Sequence, residues 1–162
     1  MNISRKLMMF GFAASVAGGG ALIAEHEGQV LSSYSDPVGV LTSCYGHTGA
    51  ELKDNQTFTE KECLEQLATD LSQHNYQLMK LTSSIELSNS EHGAYLSFIY
   101  NVGHQAFADS TLRKKLLAGD RVGACHELIR WVYADGRKLN GLINRRESER
   151  QLCLRGIDAE PI

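Results

Sequence analysis

Three patterns succeed one another along the chain. Residues 7–24 carry no charge in eighteen consecutive positions, bounded by Arg5-Lys6 before and Glu25-His26-Glu27 after. Residues 34–49 alternate apolar with polar positions between turn formers, Pro37 and Gly39 at one bend and Gly46 with Gly49 at another, which predicts a small antiparallel sheet. From residue 59 onward the spacing is helical. Thr59-Glu60-Lys61-Glu62 is a capping box opening a helix with Cys63, Leu67, Leu71 and Leu78 near one stripe. Ser88-Asn89-Ser90-Glu91 is a second, opening a helix through Ala94, Phe98 and Ile99. Ser110 caps a short helix closed by Gly119, and Asp120 starts the next, carrying Cys125, Leu128, Ile129 and Val132. A last helix is expected over residues 140–155, ending at Gly156, with an acidic tail that frays.

The uncharged segment reads as a membrane anchor. At about 1.5 Å rise per residue it covers roughly the hydrocarbon thickness of a bilayer. The flanking charges place the N-terminus inside and the rest of the chain outside. Gly11, Gly18, Gly19 and Gly20 with five alanines make it a weak anchor, and Gly11, Ser15 and Gly19 form a small-residue face. A signal peptide cleaved after Ser15-Val16-Ala17 is the alternative; it would leave nine residues ahead of Glu27.

At 162 residues and a net charge of −3, the chain supports one catalytic unit and no nucleic-acid partner, although basic residues gather at Arg113-Lys114-Lys115 and Arg145-Arg146. Cys44, Cys63, Cys125 and Cys153 form no CxxC pair, which argues against a zinc ribbon or a thioredoxin motif. Free buried thiols and disulfides both remain open, and export favours disulfides.

Glu27, Asp36 and Thr42 supply the chemistry. A glycosidase passing through an oxocarbenium-like transition state needs a proton for the leaving oxygen and a second group that directs water. Each residue also has an ordinary reading: a solvated helix end, an Asp-Pro turn and a β-branched strand position.

The surrounding text resembles the phage-type lysozymes, the endolysin muramidases of tailed phages. The resemblance runs through Glu27-Gly28, Tyr34-Ser35-Asp36-Pro37-Val38-Gly39 and Thr42-Ser43-Cys44-Tyr45-Gly46-His47-Thr48-Gly49. It continues in Ser97-Phe98-Ile99-Tyr100-Asn101-Val102-Gly103, Ser110-Thr111-Leu112 and Gly141-Leu142-Ile143-Asn144-Arg145-Arg146-Glu147-Ser148-Glu149-Arg150. It spans roughly residues 25–156 in collinear order. One departure is Cys44, where many members carry glycine.

The resemblance implies an α+β, lysozyme-like fold: a sheet lobe, a long connecting helix and a helical lobe, with a cleft between the lobes. The weak anchor resembles the signal-anchor-release subgroup, dividing the chain into an anchor at 1–24 and a catalytic domain at 25–162. The implied reaction is hydrolysis of the β-1,4 bond between N-acetylmuramic acid and N-acetylglucosamine in peptidoglycan, with inversion, without cofactor or metal. Glu27 is the implied acid, with Asp36 and Thr42 holding the water. A general acid must carry a proton whereas a neighbouring cation favours a carboxylate, so the role expected for Arg145 is orientation. Tyr34 and Asn101 are candidate sugar-binding residues, and His47 is expected to be structural rather than a base. The family fold suggests Cys44 with Cys63 and Cys125 with Cys153.

The enzyme is expected to leave the host inner membrane for the periplasm and act as a monomer. A lytic transglycosylase would need one Glu and no water-holding pair. A holin-like membrane protein would leave the capped, soluble body unexplained.

Overall fold

The computed structural model describes residues 1–158. The chain begins with α1 (Ile3–Met9) and α2 (Ala14–Glu27), followed by β1 (Val30–Ser35), β2 (Leu41–Cys44) and β3 (His47–Thr48). Next come α3 (Glu60–Leu81), α4 (Asn89–Val102), α5 (His104–Asp109), α6 (Thr111–Leu117) and α7 (Arg121–Glu127). A 3₁₀ turn at Leu128–Arg130, a short hairpin of β4 (Tyr133–Ala134) and β5 (Arg137–Lys138), and α8 (Asn140–Asp158) complete it. The expected α+β organisation is present, with α3 linking a sheet lobe to a helical lobe.

Local chemistry accounts for the helix starts. Both capping boxes close, Thr59 with Glu62 and Ser88 with Glu91, each pairing a hydroxyl and a carboxylate with backbone donors the helix leaves unpaired. Ser110 and Asp120 cap α6 and α7 through the amides of Arg113 and Gly123. The first three strands form an antiparallel sheet in the order β1-β2-β3, and β4 and β5 pair separately. The register of β1 shifts between Val30 and Tyr34, and there its outer edge pairs with the segment that leads into α3: Ser33 N donates to Gln56 O and Phe58 N to Leu31 O, both at 2.8 Å.

Several elements of the folded state differ from those expected. Residues 7–24, read as one span, are the end of α1, a turn and most of α2; the chain breaks at Gly11, whose φ of +88° ends the helix. Among the described residues no helix is long and apolar enough to cross a membrane. Instead α2 docks on α4, bringing backbones together at Gly19 and Gly93: a Cβ on Gly19 would lie 2.9 Å from Gly93 O. Helix α7 stops at Glu127, before Leu128, Ile129 and Val132, and the β4-β5 hairpin interrupts the expected run of helices. Its Asp135-Gly136 turn, with φ of +49° and +73°, belongs to the tight hairpin class. Gly156 does not end α8. It lies buried beneath Ser88 and Ser90, and the helix continues to Asp158. The rest of the acidic tail lies outside the described residues.

Two disulfides tie the lobes internally. Cys44–Cys63 joins β2 to the first turn of α3, and Cys125–Cys153 joins α7 to α8. Cys44 has φ of +53°, in the left-handed region where an L side chain costs about 1–2 kcal/mol. That backbone explains glycine as the alternative residue at this position. The first bridge closes a separation of 19 residues, for which loop entropy gives about 3 kcal/mol. Replacing both cysteines with serine should therefore lower stability by about 3 kcal/mol. Cys44→Gly with Cys63→Ser should recover about 1 kcal/mol of that loss. Denaturant titration checks both; equal stability of the two variants would refute the strain assigned to position 44.

Candidate active site

Glu27 is the last residue of α2, and Gly28 turns the chain away behind it. Arg145 of α8 donates from Nη1 to Glu27 Oε1 at 2.5 Å. The guanidinium is itself held on two further sides, Nε to Glu149 Oε1 at 3.2 Å and Nη2 to Ser97 O at 3.1 Å. Arg145 is 4% exposed and Glu149 wholly buried, so the pair is a fixed support rather than a mobile surface contact.

The support extends behind Glu149. Ser97 Oγ donates to Glu149 Oε1 at 2.8 Å. Arg146 Nε lies 3.0 Å from Glu149 Oε2, an ion-pair contact without hydrogen-bond angles, and its guanidinium stacks 5.0 Å from the Phe98 ring centre. Burial pushes Arg146 down to about 10, against the upward pull of Glu149. Burial likewise raises the Glu149 carboxyl, opposed by Arg146 and Arg145. The sequence alone assigns no role to Ser97, Arg146 or Glu149. Helical spacing is visible in it, since Arg145 and Arg146 stand four and three residues before Glu149. That these groups are buried is not.

Opposite Glu27 stands the sheet. A Cβ on Gly46 would lie 2.9 Å from Glu27 Oε2, and Gly46 has φ of +75°, so turn geometry and the carboxylate both require glycine. Tyr100 Oη donates to Tyr45 O at 2.7 Å, fastening this turn to α4. Burial first, then the charges of Asp70 and Glu27, raise the Tyr100 phenol, which keeps it a neutral donor.

Asp36 and Thr42 are joined through the backbone of one residue, Val40. Asp36 Oδ1 accepts from Val38 N at 2.9 Å and Val40 N at 2.8 Å, while Thr42 Oγ1 donates to Val40 O at 3.0 Å. Both bonds to Asp36 fall on Oδ1, so holding the turn does not require its second oxygen. Tyr34 pairs with Thr42 across the ladder. Burial raises its phenol, and the charges of Glu27 and Asp36 add to the shift, which puts both carboxylates within electrostatic reach of one side chain.

The other two candidates are engaged by side chains outside the trio. The Asn101 amide oxygen accepts from Arg146 Nη2 at 2.8 Å. His47 is clamped, with Nδ1 2.8 Å from Asp70 Oδ2 and Nε2 2.7 Å from Glu51 Oε1. It borders a groove of about 380 Å³ that also includes Glu51, Phe58, Glu62 and Glu65 and contains none of Glu27, Asp36 and Thr42.

Burial lowers the His47 pKa, but the bonds from Glu51 and Asp70 outweigh it and the net shift is upward. The stabilisation is thus fully present below the unfolded value and is lost as pH rises through the folded one. Asp70→Asn should cost about 2 kcal/mol below that window and much less above it. Melting curves of both proteins across pH test this. A gap that widens with rising pH would refute it.

Among the described residues no cluster of His, Cys, Asp and Glu is suited to hold a metal ion.

The phage lysozyme family profile matches residues 24–149. The SAR-endolysin of Bacteriophage PS119 is 45% identical over 130 residues, covering 80% of this chain and 77% of that protein. The SAR-endolysin of Escherichia phage Mu is 37% identical over 167 residues, covering 97% and 96%. Among solved structures, the endolysin from Escherichia coli O157:H7 phage FAHEc1 superposes with a TM-score of 0.77 at 28% identity, covering 90% of this chain and 94% of that one.

Proposed function

Because this chain belongs to the phage lysozyme family, we propose that it is an endolysin of the signal-anchor-release kind, hydrolysing the β-1,4 bond between N-acetylmuramic acid and N-acetylglucosamine in the host wall. The observation that carries this reading is Glu27 fixed at a helix end by Arg145, facing a sheet turn beside the linked pair Asp36 and Thr42.

In the proposed mechanism Glu27 gives its proton to the leaving glycosidic oxygen. Asp36 accepts a proton from a water that Thr42 helps to hold, and that water attacks the anomeric carbon from the opposite face, inverting it. Arg145 orients Glu27 and, with Glu149 and Ser97 behind it, prevents the carboxylate from swinging away.

Export follows from the N-terminal segment. While residues 7–24 lie in the inner membrane, α2 cannot dock on α4, and Glu27 sits three residues beyond the anchor. The tethered enzyme is inactive, and leaving the bilayer lets the same residues become the helix that carries the acid. Loss of membrane potential is the trigger, since it removes a force that favours the inserted topology.

Digestion of purified peptidoglycan tests the reaction class. New reducing ends, with the product first appearing as the inverted anomer by NMR, are expected. Anhydromuramic products would instead assign the chain to the lytic transglycosylases.

A further inference from the structure

We infer that the turn between α1 and α2 is a lipid-contacting tip that keeps the folded, released enzyme on the surface of the membrane it has left. Residues 8–14, Met8-Met9-Phe10-Gly11-Phe12-Ala13-Ala14, carry no charge. In the folded enzyme Met8 is 44% exposed, Met9 75% and Phe10 48%. Single exposed apolar side chains are ordinary on protein surfaces, but three large ones in succession at a tip are a patch that water covers poorly.

The tip is presented by structure. Leu7, immediately before it, is completely buried, and a Cβ on Gly20 would meet its side chain; with Ile3 and Phe12 also packed on the core, α1 is pinned onto α2 while Met8, Met9 and Phe10 stay exposed. Asn2 caps α1 through the amide of Arg5. The cap satisfies one of the amides that the first turn of α1 leaves unpaired.

Charge selects the occupant. Arg5 and Lys6 precede the tip by two to five residues, and α1 contains no acidic side chain. An apolar tip beside two cations matches the boundary between acyl chains and anionic headgroups, where apolar side chains enter and Lys and Arg remain at headgroup level. Contact of this size is weak and reversible, comparable to the hold of a single acyl chain. Its consequence is geometric: an enzyme confined to the membrane surface searches the facing side of the wall in two dimensions.

This inference rests on the export reading only for which membrane is met; the contact itself can be measured on purified full-length protein. Flotation with vesicles of phosphatidylethanolamine and phosphatidylglycerol should carry the protein upward, and phosphatidylcholine vesicles should carry less. Met9→Ser with Phe10→Ser should lower the bound fraction at least about tenfold, because each side chain contributes roughly that factor when its apolar surface is buried. Arg5→Gln with Lys6→Gln should abolish the preference for anionic lipid. Hydrolysis of purified peptidoglycan should be unchanged in both variants, since neither touches the site. Wild-type protein that stays in solution with every lipid, or a serine variant that floats equally well, would overturn the inference. So would sedimentation showing that the tip is buried in a dimer which the serine variant dissociates. Failure of the wall assay alone, with flotation as expected, would count against the proposed enzyme activity and not against the lipid contact.

Discussion

Glu27→Gln is expected to fold normally and to lose about three orders of magnitude in peptidoglycan hydrolysis, within the range for removing a positioned general acid. Folding survives because the amide keeps an oxygen where Oε1 stands, and Arg145 Nη1 can still donate to it. The amide has no proton to give to the leaving oxygen, so the loss should appear in kcat with little change in KM. Asp36→Asn retains the Oδ1 acceptor that holds Val38 N and Val40 N, and Thr42→Ser retains the hydroxyl on Val40 O. The first should lower turnover strongly by removing the base, and the second should be mild, whereas Thr42→Ala is expected to be severe. Circular dichroism and a melting curve for each variant separate chemistry from folding. A natively folded Glu27→Gln protein with near-native turnover would end the assignment of Glu27 as the acid.

The second large effect separates the proposed membrane role of the glycine-rich segment from its packing role in the folded enzyme. Gly18 is half-buried beside an open groove between α2 and α8, and a Cβ on it would meet nothing within 4 Å. Gly93 lies outside residues 7–24, in α4, and a Cβ there would sit 3.1 Å from Ser15 O and 3.2 Å from Gly19 N. Gly18→Leu should favour the inserted state by about 0.5 kcal/mol or more, and delay release and lysis, while leaving the folded enzyme active. Gly93→Leu should leave insertion unchanged and destabilise the folded enzyme by about 3 kcal/mol, because overpacking at a backbone crossing outweighs a helix-propensity gain of about 1 kcal/mol. Gly19→Leu carries both changes. Fractionation before and after depolarisation reports insertion, and melting of the released protein reports folding. Normal stability of Gly93→Leu would show that the helices can part at little cost. Unchanged release of Gly18→Leu would remove the weak-anchor explanation.

The features legible in the amino-acid order are local ones. Both capping boxes, the caps at Ser110 and Asp120, and the turns at Pro37 and Gly46 are legible because each is satisfied by groups within a few residues, so the chemistry that makes the element is written next to it. The order of the motifs is enough to indicate the family for the same reason. The Asp135-Gly136 hairpin is just as local, yet its two-residue strands give too little alternation to register as a pattern.

Tertiary structure decided the rest. An uncharged run of residues looks the same whether lipid or protein covers it; only the surface of α4, with Gly93 opposite Gly19, makes α2 a core helix in the folded state. Burial likewise turns Arg146, Glu149 and Ser97 from a helix-face pattern into the support behind Arg145, since a charge's effect depends on how much water remains around it. Cys44 can be read as a thiol, but its left-handed backbone and its place in the sheet appear only in the folded chain. The distance in sequence between Glu27 and Arg145 is 118 residues. No local rule joins them, and only the packing of α2 and α8 against α4 brings the guanidinium to the carboxylate.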